Sequence, residues 1–173
     1  MNILDNKPKP DLQYNLAITV ETGIYKDNEW TATSVLGSQD WLFSVMYDNT
    51  VLMNCIGLSD KHQCQHQLQD TQETQDHLLI VVFRGNNPEK FESVKLTIEI
   101  EGVDVSEFVQ RCEEAYNFDQ DPRPNRYPGQ IYMMFSGDQR FTISTPIYRW
   151  LYDRRDQFMN KYWQLYRKLV NDH

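Results

Sequence analysis

Alternation of apolar and polar residues is the main pattern in the first hundred positions. Between Gln13 and Thr22 every second residue is apolar, and the same period recurs over Ser93–Glu101. A period of two is typical of a β-strand with one buried face. The run Leu78–Arg84 is apolar almost throughout, which predicts a strand in the middle of a core. Further strands are predicted over Glu29–Leu36, Trp41–Tyr47, Val51–Ile56, Gln130–Phe135 and Arg140–Ser144.

Turn residues join some of these strands into hairpins. Asp48-Asn49-Thr50 separates two predicted strands, and Asp and Asn tolerate the left-handed dihedrals of a tight turn. Ser136–Gln139, which includes a glycine, predicts a second hairpin between the strands on either side of it. The polar segment Ser59–Asp76 has six glutamines between positions 63 and 75. We expect a long loop or an exposed helical turn there.

Two helices are predicted in the second half of the chain. Asp104 and Glu107 have the spacing of a capping box, followed by apolar residues at helical intervals, which predicts a mid-chain helix over about 105–117. Pro146 suits the first position of a helix, and the periodicity after it predicts a long C-terminal helix over about 146–170.

The fold class expected from these elements is α+β. Residues 1–10, with two prolines, read as an extended lead-in, and 11–173 as a single domain. That domain is mainly an antiparallel sheet of about eight strands, with the mid-chain helix and the long C-terminal helix.

The predicted C-terminal helix carries two apolar stripes when wound at 3.6 residues per turn. The first, which we expect to face the core, consists of Ile147, Leu151, Phe158, Tyr162, Leu165 and Leu169. The second, the aromatic stripe, consists of Tyr148, Tyr152, Met159, Trp163, Tyr166 and Val170. It either packs beneath a neighbouring loop or stays exposed and binds a partner, because Tyr, Trp and Met are enriched at interface cores.

Charge is distributed unevenly along the chain. The net charge is −8, which disfavours a general nucleic-acid coat. From Arg123 onward nine basic residues oppose four acidic ones, a net of +5, so residues 1–122 carry −13. Either the two parts pack together and partly cancel, or the acidic part faces one partner and the basic part another.

Side chains capable of metal or nucleophilic chemistry are few. Cysteine and histidine are ligands that zinc prefers, and the candidates are Cys55, His62, Cys64, His66 and His77. Their spacing matches no zinc finger or ribbon, so a solvated loop is favoured and we predict no metal and no cofactor. The chain has no Gly-x-Ser-x-Gly elbow, no Walker loop and no Gly-x-Gly-x-x-Gly.

Other reactive residue types have simpler structural interpretations. Glu99 and Glu101 would point together from one strand, but on a solvated face. Cys112 falls on the apolar side of the mid-chain helix, where a cysteine behaves as a small hydrophobe. Arg84 and the Gly85-Asn86-Asn87 turn could hold an anion, although a plain loop is favoured.

These patterns favour a non-catalytic intracellular protein that binds another macromolecule by protein–protein contact, as inhibitors, immunity proteins and accessory factors do. The partner is expected to be another protein, for which the acidic region favours a basic one, or a second copy bound through the C-terminal helix. The predicted contact residues are Tyr148, Tyr152, Met159, Trp163, Arg149 and Arg155.

Two alternatives from other classes stay open. One is an enzyme with an unrecognised site. The other is a nucleic-acid-associated protein, for which the phosphate contacts would be Arg123, Arg126, Arg140, Arg154, Lys161 and Lys168. A cytoplasmic location is expected because no secretory signal is visible and the three cysteines are odd in number. No apolar run is long enough to cross a membrane.

Overall fold

The computed structural model describes residues 12–35, 38, 40–57, 61–85, 92–106, 117–118, 132–133, 136–153 and 163–172. Within them lie two antiparallel sheets and two short helices. The six-stranded sheet consists of β1 (Leu12–Lys26), β2 (Glu29–Ala32), β5 (Lys61–Asp70), β7 (Glu92–Ile100), β8 (Val103–Asp104) and β10 (Tyr132–Met133). The five-stranded sheet consists of β3 (Leu42–Tyr47), β4 (Thr50–Ile56), β6 (Gln75–Arg84), β9 (Asn117–Phe118) and β11 (Gly137–Thr145). The helices are α1 (Ile147–Asp153) and α2 (Trp163–Asp172).

One long strand organises each sheet. β1 pairs with β7 on one side and with β5 and β2 on the other. β6 lies between β3 and β11. Leu16 and Ile18 of β1 share one buried cluster with Val81 and Phe83 of β6, and all four are fully buried. The core therefore lies between the two sheets, as in a β-sandwich.

Several predicted elements are confirmed. The alternation from Gln13 belongs to β1, which extends beyond Thr22 as far as Lys26 before the chain reverses at Asp27 and Asn28. The β3–β4 hairpin turns at Asp48, whose φ of 51° is the left-handed conformation that its residue type tolerates. The expectation of mainly antiparallel pairing is also confirmed, but the strands divide into two sheets.

The prediction of a loop over 59–76 is wrong. Residues 61–70 form β5, which pairs with β1 without a break from Lys61 opposite Glu21 to Asp70 opposite Leu12. The glutamines of β5 lie on its exposed face, and the residues between them face the interior. Alternation of glutamine with cysteine and histidine is a period of two, but its hydrophobic contrast is too small to stand out in the sequence.

The prediction of a hairpin around Ser136–Gln139 is also wrong. β10 pairs with β7 in the six-stranded sheet, and β11 pairs with β6 in the five-stranded sheet. The two strands thus belong to different layers, and three of the predicted turn residues, Gly137–Gln139, lie inside β11.

The two helix predictions have different outcomes. Most of the predicted mid-chain helix, residues 107–116, lies outside the described residues. The prediction of one long C-terminal helix is wrong, because α1 and α2 pack against each other and the Tyr152 and Tyr166 ring centroids are 5.8 Å apart. In a straight helix, fourteen residues would separate these positions by about 21 Å along the axis.

The four described residues of the first apolar stripe face the core, as predicted, whereas Phe158 and Tyr162 lie outside the described residues. Ile147 and Leu151 of α1 are buried, together with Trp150, and so are Leu165 and Leu169 of α2. All five belong to the same buried cluster as the facing sheets. The helices therefore extend the core of the sandwich on one side only.

A cluster of three aromatic rings packs on the outer face of the six-stranded sheet. The rings of Tyr25 and Tyr132 stack at 4.8 Å, and the Trp30 ring lies 6.2 Å from that of Tyr132. The Lys95 ammonium is 5.2 Å from the Trp30 ring. The indole of Trp30 lies directly over Gly23, a position where any side chain would displace it.

Replacing Gly23 by alanine is expected to destabilise the fold by about 1–3 kcal/mol, because the added Cβ overpacks a filled space. That Cβ would lie 2.5 Å from Cζ2 of Trp30 and also against the Thr31 carbonyl oxygen. Urea denaturation measures the effect, and a double variant with Trp30→Ala should recover part of the loss. A Gly23→Ala protein as stable as wild type would contradict this packing.

Candidate functional site

Large apolar side chains are exposed at five positions in the described part of the chain, and three of them lie on the C-terminal helices. These are Tyr152 at 43%, Trp163 at 38% and Val170 at 39%. On α2, positions 163, 166, 167 and 170 follow helical spacing and share one side of the helix. We call Tyr152, Trp163, Tyr166 and Val170 the aromatic patch.

The rings of the patch form a stacked series. Tyr166 is stacked on Tyr152 at 5.8 Å and on Trp163 at 5.2 Å. The Arg167 guanidinium lies 5.1 Å from the Trp163 ring centroid, a cation–π contact, and its side chain is exposed. Mutual stacking fixes the rings at low entropic cost, which is a property of interface anchors.

The opposite side of α2 is fixed to the sheet by polar contacts as well as by the core. The Tyr14 hydroxyl donates to Asp172 Oδ2 at 3.0 Å, and Lys168 Nζ donates to Glu101 Oε1 at 2.6 Å. Glu101 Oε2 also accepts from the Asn15 amide. The bond from Lys168 is the main reason why the pKa of Glu101 is lowered, against the opposing effect of its partial burial. The helix is thus held in one orientation, with the patch outward.

The predicted contact residues have different positions in the structure. Tyr152 and Trp163 belong to the patch, and Arg149 is exposed on α1. Tyr148 packs partly against the core. Met159 and Arg155 lie outside the described residues.

Three contributors to this surface, Tyr166, Arg167 and Val170, were not among the predicted contacts. Tyr166 bridges the other two rings, and Arg167 covers the indole of Trp163. Tyr166 belongs to the aromatic stripe, so the 3.6-residue period contained the signal for it. The position of Arg167 four residues after Trp163 is the usual spacing for a side-chain contact along a helix.

The basic residues of the nucleic-acid alternative are only partly described. Arg140 Nε lies 3.3 Å from Asp138 Oδ2 on β11, and Lys168 pairs with Glu101. Both cations are therefore partly neutralised by a neighbouring carboxylate. The remaining four, Arg123, Arg126, Arg154 and Lys161, lie outside the described residues.

The cysteine and histidine side chains do not form a metal site in the described part of the chain, where no group of three or more His, Cys, Asp or Glu has suitable geometry. Cys55 and Cys64 are free thiols that pack partly against the core. Burial, and secondarily the nearby Cys55, raises the pKa of Cys64 to about 11. Burial likewise raises the pKa of Cys55. Both thiols are therefore poor nucleophiles at neutral pH.

The remaining histidine of interest lies at one end of the sandwich. His77 Nδ1 is 2.8 Å from Asp48 Oδ2, and Asp48 Oδ1 accepts from the Leu78 amide. Partial burial alone would raise the pKa of Asp48, but these two hydrogen bonds outweigh it and hold the pKa below its usual value. The His77 ring stacks on Tyr47 at 5.6 Å.

An open surface cavity of about 630 Å³ adjoins this pair, lined by Asp48, Asn49, Gln75, Asp76, His77 and Leu78. A His–Asp pair can act as a general base when a nucleophile or substrate proton lies within reach. The described lining has no serine, threonine, cysteine or lysine. The arrangement fixes the β3–β4 turn against β6 and does not by itself constitute a catalytic constellation.

Two other residue groups from the sequence analysis are described wholly or in part by the structure, Glu99 with Glu101 and the turn that follows Arg84. Glu99 lies in β7, whereas Glu101 occupies the following turn at a φ of 50° and binds α2. Arg84 Nη1 donates to the carbonyls of Phe83 and Gly137, and the Gly85 amide donates to Ser136 Oγ. Arg84 Nη1 and the Gly85 amide are therefore occupied by protein contacts, whereas Asn86 and Asn87 lie outside the described residues.

No protein-family model matches the chain, and no curated protein matches it. Among solved structures, a module named vCBM60, in complex with galactobiose, has 8% identity and a TM-score of 0.39, covering 73% of this chain and 96% of that one. Its selenomethionine form, described as a calcium-dependent carbohydrate-binding module, has 11% identity and a TM-score of 0.40, covering 73% and 89%. At these values neither a family nor a ligand follows for this chain. The structure itself defines a mainly antiparallel β protein with two sheets and two short C-terminal helices.

None of the helices in the described part of the chain is long and apolar enough to cross a membrane.

Proposed function

We propose that this chain is a non-catalytic protein that binds another protein through the aromatic patch. The observation that carries the proposal is the exposure of Tyr152, Trp163 and Val170 on helices whose opposite sides are already anchored in the core. A helix that only closes a sandwich needs one apolar side, and its solvent side is normally polar. Contiguous exposed aromatic surface is instead typical of interaction sites.

The charges around the patch suggest how a partner would fit. Arg149 and Arg167 are exposed beside the rings, and Asp153 is exposed at the end of α1. Arginine next to tyrosine and tryptophan is the composition of an interface core. The acidic region before residue 123, with a net charge of −13, would steer a partly basic partner mainly by raising its association rate. An intracellular setting belongs to the same proposal.

Partner capture with matched variants tests this function. Tagged wild type, Tyr152→Ala/Trp163→Ala and Val51→Ala are expressed in the native cell, and the co-purified proteins are quantified by mass spectrometry. Val51 is the control because it is apolar, 57% exposed and lies on β4, away from the helices. We expect the patch variant to lose its specific partner by more than about tenfold, since each interface anchor contributes about 2 kcal/mol, while Val51→Ala retains it.

Three results would contradict the proposal. The first is equal recovery of the same proteins by all three chains. The second is unfolding of the patch variant, which would make the rings part of the core. The third is tight, strongly salt-dependent binding of the wild type to a single-stranded oligonucleotide, lost in the patch variant, which would favour the nucleic-acid alternative.

A further inference from the structure

Strand β5 forms an edge of the six-stranded sheet. Its ten residues, Lys61–Asp70, pair with β1 and with no other strand in the described part of the chain. Along 63–69 no backbone hydrogen bond other than those to β1 is present among the described residues. An edge of this kind offers a row of N–H and C=O groups to another strand.

β5 lacks three of the features that protect edge strands from pairing, namely a proline, a bulge and a central charged residue. It has no proline, and its register with β1 has no bulge, in contrast to the shift between β3 and β4 at Val45. Its only charged residues are Lys61 and Asp70 at its two ends, and Asp70 is buried. Edge strands that stay unpaired generally carry central charges, prolines or bulges.

The outward side chains of β5 are complementary to themselves. Gln63, Gln65, Gln67 and Gln69 are all exposed on one face. When two such strands pair antiparallel with their faces in phase, glutamine falls opposite glutamine, with Cβ atoms about 5 Å apart. Gln63 Nε2 already donates to Thr19 Oγ1 on β1 at 3.1 Å. A carboxamide has two donors and an acceptor, so the amides of two facing rows can also bond to each other.

Charge favours this strand as the contact between two copies. The chain as a whole carries −8, so most surfaces of one copy repel those of another. Residues 62–69 contain no Asp, Glu, Lys or Arg.

We propose that the chain forms a two-fold symmetric homodimer by antiparallel pairing of β5 with β5 of a second copy. The two six-stranded sheets then join into one continuous sheet, and the aromatic patch of each copy stays free for its own partner. A two-fold contact of this kind is isologous, so the same strand serves both copies.

Sedimentation equilibrium between 1 and 100 µM tests the proposal. We expect wild type to approach twice its monomer mass of 20.6 kDa. Gln65→Lys places two like charges near the symmetry axis and should weaken the dimer at least tenfold. Gln13→Lys is the matched control, because Gln13 is exposed on the adjacent strand β1, with the same charge change away from the edge.

A second measurement does not depend on variants. In wild type, amide hydrogen exchange over 61–70 should slow as the protein concentration rises, while exchange over 163–172 stays constant. A monomer at 100 µM would overturn the proposal, and so would a dimer that Gln65→Lys leaves intact. A dimer abolished by Tyr152→Ala/Trp163→Ala would also overturn it, because the contact would then lie on the helices.

Discussion

Replacing Phe83 by alanine is expected to lower the free energy of unfolding by about 3–5 kcal/mol, the cost of deleting a fully buried aromatic side chain. Phe83 lies in the central strand β6 of the five-stranded sheet and is completely buried. The Trp41 ring packs edge-on against it at 5.2 Å, and the Phe43 ring lies 6.5 Å away. The truncation would leave a cavity between the two sheets that these rigid rings cannot fill by small shifts.

Urea denaturation followed by fluorescence and circular dichroism measures this loss. Val51→Ala is the matched control, because it also shortens an apolar side chain of the five-stranded sheet, but at a position that is 57% exposed. The control should lose less than about 1 kcal/mol. If the two variants lose similar amounts, the core does not lie between the sheets as described.

Replacing Asp70 by alanine is expected to destabilise the protein by about 2–4 kcal/mol, which combines the loss of a helix cap with an unsatisfied buried amide. Asp70 ends β5 and is only 1% exposed, and its Oδ1 accepts the Ile147 amide at 3.0 Å. A carboxylate at this position accepts a hydrogen bond from a backbone N–H at the start of α1 that has no acceptor within the helix. Its negative charge also interacts favourably with the positive end of the helix dipole. The residue therefore connects the edge strand to the helix that carries Tyr152.

Replacing Asp70 by asparagine distinguishes the effect of the hydrogen bond to Ile147 from the effect of the negative charge. Asp70→Asn keeps a side-chain oxygen able to accept from the Ile147 amide, so we expect it to lose less than half as much as Asp70→Ala. Thermal and urea unfolding of the two variants gives the comparison. An alanine variant within about 0.5 kcal/mol of wild type would show that α1 does not depend on this contact.

The sequence predicted those strands whose two faces differ strongly in polarity. β1 and β7 alternate between aliphatic and polar residues, so their existence and their buried faces follow from a period of two. β5 failed this test because only Cys64 and Leu68 of its inward-facing positions are apolar, whereas His62, His66 and Asp70 are polar like the glutamines between them. Pairing of β1 with β5, and not the composition of β5, makes it a strand.

Long-range arrangement lay beyond the sequence pattern for a different reason. Gly137–Gln139 have the composition of a hairpin turn, but they lie inside β11, which pairs with β6, whereas β10 pairs with β7 in the other sheet. In the C-terminal region the helical period correctly assigned Leu165 and Leu169 to the core. It could not reveal that the chain folds back and brings Tyr152 against Tyr166.

The candidate site was only partly predictable for the same reason. Periodicity identified an aromatic stripe, but not which of its members face the solvent. Tyr148 packs partly against the core, whereas Tyr152 and Trp163 are exposed. That division depends on how α1 and α2 lie against the sandwich, and no local pattern contains it.

Comparing Trp163→Ala with Leu169→Ala in chemical denaturation tests most directly whether the stability of the fold depends on the aromatic side of α2. Both residues lie on the same helix, but Leu169 is fully buried and Trp163 is 38% exposed. We expect Leu169→Ala to lower the free energy of unfolding by about 2–5 kcal/mol. Trp163→Ala should lower it by about 1 kcal/mol, the contribution of one aromatic contact. Equal losses from the two variants would mean that the patch is part of the core and is not held for a partner.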